Sequence, residues 1–355
     1  MEIDMQKKRT DWPNVLLDWF DGNKRDLPWR HDRNPYKVWV SEIMLQQTKV
    51  ETVRPYYDNW MERFPTVQAL AAADQETVLR QWQGLGYYSR ARNLHAAVQE
   101  VASTYHGKVP SDRSLMEKLP GVGAYTAGAV LSIAYGQAEA AVDGNVLRVF
   151  ARLYGICENI LSATVKKEIT TRVVAVLPAD RPGDFNEALM DFGAMVCIPG
   201  RPHCEKCPLC QWCLARMKGL EEQIPLRITR KNIPTEEIAV AVIVQDGRWL
   251  LHCRPDTGLL ASMWEFPNVI GAGEGGRQTL CRYIQEQGLD VRLGEEPLGV
   301  IKHVFSHKKW HMTIYESVVL SGQLIEKEGW QWLPKEQYTE IPWAGPHGKI
   351  TAWLR

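Results

Sequence analysis

Apolar positions in the first two thirds of the chain recur with helical spacing. Behind Asn34-Pro35, Trp39, Ile43, Val50, Val53, Tyr57, Trp60 and Phe64 follow one another at intervals of 3, 4 and 7, a single apolar stripe. Asn followed by Pro is a good helix start, because the amide side chain caps free N–H groups and Pro has none to lose. Pro55 interrupts the stripe, so two helices are expected, with the break at that proline. Further helical patterns cover about 75–83, 89–104, 125–135, 144–155, 164–177 and 185–196. Residues 1–220 therefore read as a helical domain. Residues 221–235 are polar, with Pro225 and Pro234, and read as a linker. The pattern then changes. Ile238 to Val244 is a run of β-formers, ended by the turn Gln245-Asp246-Gly247-Arg248 and followed by Trp249-Leu250-Leu251. Residues 236–355 are expected to form a mixed α/β domain.

Composition narrows the class. The 355 residues are 45% hydrophobic and 24% charged, which excludes a disordered or fibrous chain. The longest weakly polar stretch, Gly123 to Gly136, is too short to cross a membrane. Met1 to Lys8 has no apolar run behind it, so no signal peptide is expected there, and the chain reads as cytoplasmic. Net charge is +0, which rules out a globally basic nucleic-acid binder but not a local basic face; if the chain binds DNA, backbone amides and a few placed side chains must do much of it.

Five of the 8 cysteines crowd into Cys197–Cys213. In a reducing compartment such density points to metal rather than disulfides. Cys197, Cys204, Cys207 and Cys213 form a C-x6-C-x2-C-x5-C run, with Cys210 between them. Four thiolates can enclose a zinc ion or an iron–sulfur cube, and ligand chemistry alone does not separate the two. His303, His307 and His311 also recur at intervals of four, but no Cys or carboxylate completes a metal set there.

Leu119-Pro120-Gly121-Val122-Gly123 precedes a small-residue helix beginning at Ala124. Glycines permit positive φ and close backbone approach, and free amides at a helix start favour phosphate. Alone, this would be an ordinary tight turn. With Ala141-Val142-Asp143-Gly144-Asn145 behind it and the cysteine loop after that, the chain resembles the helix–hairpin–helix DNA glycosylases of the endonuclease III branch. The resemblance implies a hairpin near 112–131 that grips DNA phosphate through Gly121 and Gly123. It also implies an alkali or calcium ion held by the carbonyls of Glu117, Leu119 and Val122, and a [4Fe–4S] cluster on Cys197, Cys204, Cys207 and Cys213.

Within that branch the chain is most similar to the MutY family of adenine glycosylases. Trp39-Val40-Ser41-Glu42-Ile43-Met44-Leu45-Gln46-Gln47-Thr48 resembles the catalytic motif of that family, and Tyr125 stands where strand-cleaving relatives carry Lys. Bond chemistry sets the requirement: a leaving purine needs an acid, and an oxocarbenium-like sugar needs a nearby anion. The resemblance gives these roles to Glu42 and Asp143. It also implies that Asn145 and Glu187 orient the site and hydrogen-bond the base, and that with Tyr125, which cannot form a Schiff base, such a glycosylase is monofunctional. Leu45, Gln47, Thr48 and Tyr87 are implied at the DNA, as are Trp29 and Arg30. In the family the residues matching Gln47 and Tyr87 wedge into the stack around the base opposite the flipped one.

Gly258 to Pro267 resembles the start of a Nudix box. Aligned on Gly288, its metal-binding helix reads Cys281-Arg282-Tyr283-Ile284-Gln285-Glu286, with one of three carboxylates left. Pyrophosphatase activity is not expected, since Mg²⁺ needs several oxygen ligands. Phe305-Ser306-His307 resembles the loop with which the family senses 8-oxoguanine. The implied partner is duplex DNA carrying 8-oxoguanine·A or G·A, bound by a monomer in a bacterial-type, nucleoid-associated setting. The rival readings are a pyrimidine glycosylase–lyase, disfavoured by Tyr125, and a non-catalytic damage sensor, disfavoured by Glu42 and Asp143.

Overall fold

A computed structural model describes residues 11–228, 233–325 and 329–354. Met1–Lys8 and the middle of the expected linker, 229–232, lie outside the described residues. The chain divides into two units. One comprises Met1–Ala73 and Asn93–Thr229, the other Asp74–Arg92 and Arg230–Arg355. The short segment from Asp74 to Arg92 thus groups with the second unit, which the local helical pattern did not signal.

The first unit is helical. Its elements are α1 (Trp12–Asn23), α2 (Pro35–Leu45), α3 (Val50–Arg63) and α4 (Val67–Ala71); α5 (Gln75–Gln81) belongs to the second unit, and α6 (Ser89–Thr104) runs from one into the other. Then come α7 (Arg113–Met116), α8 (Ala124–Tyr135), α9 (Gly144–Tyr154), α10 (Ala163–Val176), α11 (Pro182–Met195) and α12 (Leu214–Met217). Asn34 caps α2 as expected, its side chain accepting from the Tyr36 and Lys37 amides. The break after α2 falls at Gln46–Lys49 and not at Pro55, which lies inside α3. Gln47 explains the position: its φ of 57° is incompatible with a continuing right-handed helix. Pro55 comes early in α3 and removes one amide bond without ending the helix.

α9 is the central element of this core. Val146, Val149, Phe150 and Leu153 pack with Phe185, Leu189 and Phe192 of α11 and with Trp12, Leu16 and Phe20 of α1. The α9–α11 approach depends on Gly193, where a Cβ would lie 2.7 Å from the Cβ of Asn145. Ile224 is buried in the same core, so the first part of the expected linker is packed.

The second unit holds a mixed sheet of β1 (Thr235–Gln245), β2 (Arg248–Cys253), β3 (Trp264–Glu265), β4 (Asn268–Ile270), β5 (Leu289–Leu293), β6 (Gly299–Val304), β7 (Lys309–Gly322) and β8 (Trp330–Pro334), with α13 (Gly273–Gln285) and α14 (Gly345–Gly348). β1 pairs with β7 in parallel, Ile238 opposite Met312, and with β2 through the turn at Asp246-Gly247. Both turn residues have positive φ, as a two-residue hairpin requires. Side chains alternate across the sheet. Ile238, Val240 and Val242 face a core with Trp310, Met312 and Ile314, while Ala239, Ala241 and Ile243 face Leu280 and Ile284 of α13.

Candidate active site

α2 brings Glu42 into the interior of the first unit. The residue is 5% exposed, and its carboxyl accepts a 2.5 Å hydrogen bond from the Tyr125 hydroxyl at the start of α8. Burial pushes its pKa up to about 7, and the negative charges of Glu187 and Asp143 add to the rise; the Tyr125 hydrogen bond opposes it. The same burial, with the Glu42 charge beside it, holds the Tyr125 phenol protonated far above its usual range.

Asp143 caps α9, accepting from the Val146 amide at 2.7 Å. The capping oxygen is Oδ1. The other oxygen accepts from Asn145 Nδ2 at 2.7 Å. Burial raises the Asp143 pKa, and these hydrogen bonds limit the rise. Asn145 is held in turn by Arg148, whose Nη2 donates to its Oδ1 at 2.8 Å. Arg148 also donates to the carbonyls of Gly193 and Cys197, so the Asp143 cap is tied to the start of the cysteine loop.

Glu187 sits one turn before Asp191 on α11, and both meet Arg30. Arg30 Nε donates to Glu187 at 2.7 Å, and its two terminal nitrogens donate to Asp191. Arg25 completes the cluster on Asp191. For Asp191 burial works upward, but Arg30 and Arg25 outweigh it and hold the carboxylate below its usual range. Glu187 goes the other way: burial raises it despite Arg30 and Arg33. Arg30 is thus occupied by carboxylates, and Trp29 is buried edge-on against Tyr57 at 5.4 Å. Sequence reasoning missed Asp191, Arg25 and Arg148. The i,i+4 spacing of Glu187 and Asp191 was the available signal.

Next to Glu42, Leu45 and Thr48 are half-buried, Gln47 is exposed, and Gln46 donates to the Thr126 hydroxyl at 3.2 Å. In the hairpin only Gly121 has positive φ, 75°; Gly123 is extended and caps α8. The Leu119 carbonyl accepts from the Val122 amide, closing the turn. Within the second unit Tyr87 has a φ of 49° and is 45% exposed. Ser306 donates to its hydroxyl at 3.2 Å, joining two positions 219 residues apart. Ser306 and His307 are exposed in the β6–β7 hairpin, and Phe305 anchors that hairpin on Trp310. Of the three histidines, His303 packs on Phe305 and His311 pairs with Glu237.

Cys197, Cys204, Cys207, Cys210 and Cys213 line one pocket with Arg152. Arg152 is 2% exposed, yet its donors go to backbone carbonyls of Ile198, Gly200 and Ile224 and, at 3.4 Å, to the Cys197 sulfur. A buried guanidinium wants an anionic neighbour, and thiolate ligands would supply one. Among the described residues no three His, Cys, Asp or Glu side chains converge on a single-ion point.

The HhH-GPD superfamily base excision DNA repair family matches residues 40–174, and the NUDIX domain family matches residues 239–353. The adenine DNA glycosylase of Homo sapiens is 38% identical over 93% of this chain and 71% of its own length. That of Buchnera aphidicola (strain Sg) is 31% identical over 84% of this chain and 85% of its own. The chain belongs to the adenine DNA glycosylase family. The enzyme is thus an N-glycosylase hydrolase of base excision repair. Its fold is also similar to a thermostable thymine-DNA glycosylase, TM-score 0.55 at 31% identity over 60% of this chain and 99% of that one. Endonuclease III solved in a non-covalent DNA complex gives TM-score 0.52 at 27% identity, covering 61% and 97%. The glycosylase has no helix, among its described residues, long and apolar enough to cross a membrane.

Proposed function

We propose that the enzyme excises adenine mispaired with 8-oxoguanine or guanine, by general acid catalysis and without strand cleavage. The observation that carries this reading is the buried Glu42, holding a proton near neutral pH beside Tyr125 and Asp143. Tyr125 engages one carboxyl oxygen and leaves the other to deliver the proton to adenine N7. Asp143, fixed by Asn145 and the Val146 amide, places negative charge at the sugar as the bond breaks. Arg30 and Asp191 fix Glu187, which meets the flipped base. Gln47 and Tyr87 wedge into the stack, and Gly121 and Gly123 present backbone to phosphate, with a cation at the carbonyls of Glu117, Leu119 and Val122. Phe305, Ser306 and His307 read the opposite base. Guanine offers N7 as an acceptor, whereas 8-oxoguanine offers an N–H there, and the Ser306 hydroxyl can meet either.

Cys197, Cys204, Cys207 and Cys213 would hold a [4Fe–4S] cluster, which supplies structural order and negative charge when bound. Arg152 balances that charge, and Arg148 carries the position of the loop to Asn145. The test is a duplex with adenine opposite 8-oxoguanine, incubated with enzyme and resolved with and without hot alkali. Strand breaks that need alkali are expected. Breaks without alkali, or no adenine release, would overturn the reading.

A further inference from the structure

The cysteine loop contains one thiol more than a cluster needs. From Cys204 onward the spacing is regular: Cys204, Cys207, Cys210 and Cys213, each three residues after the last. The backbone repeats with it. The amides of Cys207, Cys210 and Cys213 each bond to the carbonyl of the cysteine before, all at 3.3 Å. Two short 3₁₀ turns, Cys204–Lys206 and Cys210–Trp212, carry this ladder. Each turn ends in an extended cysteine, Cys207 after the first and Cys213 after the second, so the same turn-and-extension unit occurs twice. Cys210 opens the second unit as Cys204 opens the first, and it lines the same pocket as the other four, while remaining exposed where they are half-buried.

We propose that Cys210 is a reserve cluster ligand, able to take the iron of either neighbour three residues away, Cys207 or Cys213. The proposal rests on the iron–sulfur reading of the loop. In the exchange one iron–sulfur bond, to Cys207 or Cys213, breaks and one to Cys210 forms. The incoming thiol gives up its proton and the departing thiolate takes one, so no oxidant or reductant is consumed. Cys197 is outside the ladder and has no such substitute. Its sulfur is fixed by Arg152, and its carbonyl by Arg148.

The experiment compares iron and acid-labile sulfide, per mole of full-length protein, in the wild type and five variants prepared without oxygen. Cys210→Ser should keep the wild-type content. Cys207→Ser and Cys213→Ser should each keep more than half of it, and adding Cys210→Ser to either should abolish it. Single variants as empty as the doubles would overturn the proposal. A wild type without iron and sulfide would instead overturn the cluster reading beneath it. If the single ligand variants do not fold, Cys210→Ser alone decides. Challenged with a chelator in air, it should lose its visible absorption at least threefold faster than wild type, because a transiently opened site has no second thiol. An unchanged decay rate would sink the idea.

Discussion

Two glutamates, one in each unit, are equally buried and behave in opposite ways. Glu42 is 5% exposed and Glu265 is 4% exposed. Glu42 meets a phenol and two other carboxylates, and its pKa rises to about 7. Glu265, in the short strand β3, meets His252, His347 and Arg254, which outweigh the effect of its burial and hold it below the usual range. Arg254 Nη1 lies 2.7 Å from its Oε2. His347 pays in turn: buried completely, it is pushed down to about 4 and stays neutral at physiological pH. Burial alone does not make a catalytic acid. What separates the two sites is whether a cation stands against the carboxyl. The second unit has used its buried acid to hold a sheet edge together, and the first has kept its acid charged with a proton.

The largest test of that contrast is a pair of amide substitutions. Glu42→Gln should lower single-turnover adenine excision by about 10³-fold or more, within the range for losing a general acid. It should also stabilise the fold at alkaline pH. The Glu42 carboxyl has a higher pKa folded than unfolded, so the native state binds the extra proton and stability falls as pH rises from about 4.5 to 7. The amide escapes that loss, a gain on the order of 3 kcal/mol at pH 8 that vanishes by pH 4. Glu265→Gln should do the reverse. Its lowered pKa gives stability present above about pH 4.5 and lost in acid, so the amide should destabilise at pH 7 by about 3 kcal/mol, leaving Arg254 unpaired. Urea unfolding at four pH values reads both signs. The same sign for the two variants would break the comparison.

Asp143→Asn sharpens it from the side of the neighbouring charge. The amide can still cap α9, so folding should survive. Excision should fall by about 10²-fold or more for want of the anion at the sugar. Any residual activity should lose its alkaline limb at lower pH than wild type, because Asp143 is one of the charges that raise Glu42. A pH–rate profile in which the limb stays or moves upward would remove Asp143 from the Glu42 environment.

Much of this was legible in the sequence, and the failures have physical causes. The stretch 89–104 is a helix over those same residues, because its apolar period is strong and nothing interrupts it. Tyr125 bonds to Glu42, and the charge of Asp143 acts on both. The break after α2 was misplaced because Pro55 is conspicuous in sequence and a left-handed Gln47 is not. Asp74–Arg92 groups with the second unit through bonds such as Arg80 to the Glu340 carbonyl and Arg92 to the Ala261 carbonyl, contacts no local pattern encodes. Arg30 reads as a cation for DNA when taken with its neighbour Trp29. Only the fold brings Asp191 to it from 161 residues away. Glu265 sits in a recognisable motif, but its partners arrive from elsewhere: His252 from β2, Arg254 from the position that follows β2, and His347 from α14.

The two units should also separate chemistry from lesion choice. Phe305→Ala with Ser306→Ala, in the full chain, should leave excision opposite guanine nearly unchanged once DNA is saturating. Preference for 8-oxoguanine over guanine should fall by roughly ten- to a hundredfold, the worth of one good base-edge contact pair. Single-turnover rates and affinities on both duplexes measure the ratio. An unchanged ratio would move lesion reading out of the β6–β7 hairpin.

The smallest effect concerns the two proposed wedges, Gln47 in the first unit and Tyr87 in the second, which share a left-handed backbone. For a residue with a Cβ that conformation costs about 1–2 kcal/mol. Glycine removes the cost but loses more freedom on folding, about 0.5–1 kcal/mol relative to alanine. Gln47→Gly should therefore be more stable than Gln47→Ala by about 0.5–1 kcal/mol, although both lack the wedge and should lose mismatch affinity equally. The stability difference isolates the backbone, and the shared affinity loss isolates the side chain. Tyr87→Gly and Tyr87→Ala should repeat the backbone difference, but both should cost more overall, since Arg90 stacks over the Tyr87 ring at 5.5 Å. Glycine less stable than alanine at position 47, by about 0.5–1 kcal/mol, would mean that the turn carries no strain before DNA binds. The wedge would then be held in place by its neighbours, Gln46 bonded to Thr126 among them, and not by a backbone set in advance.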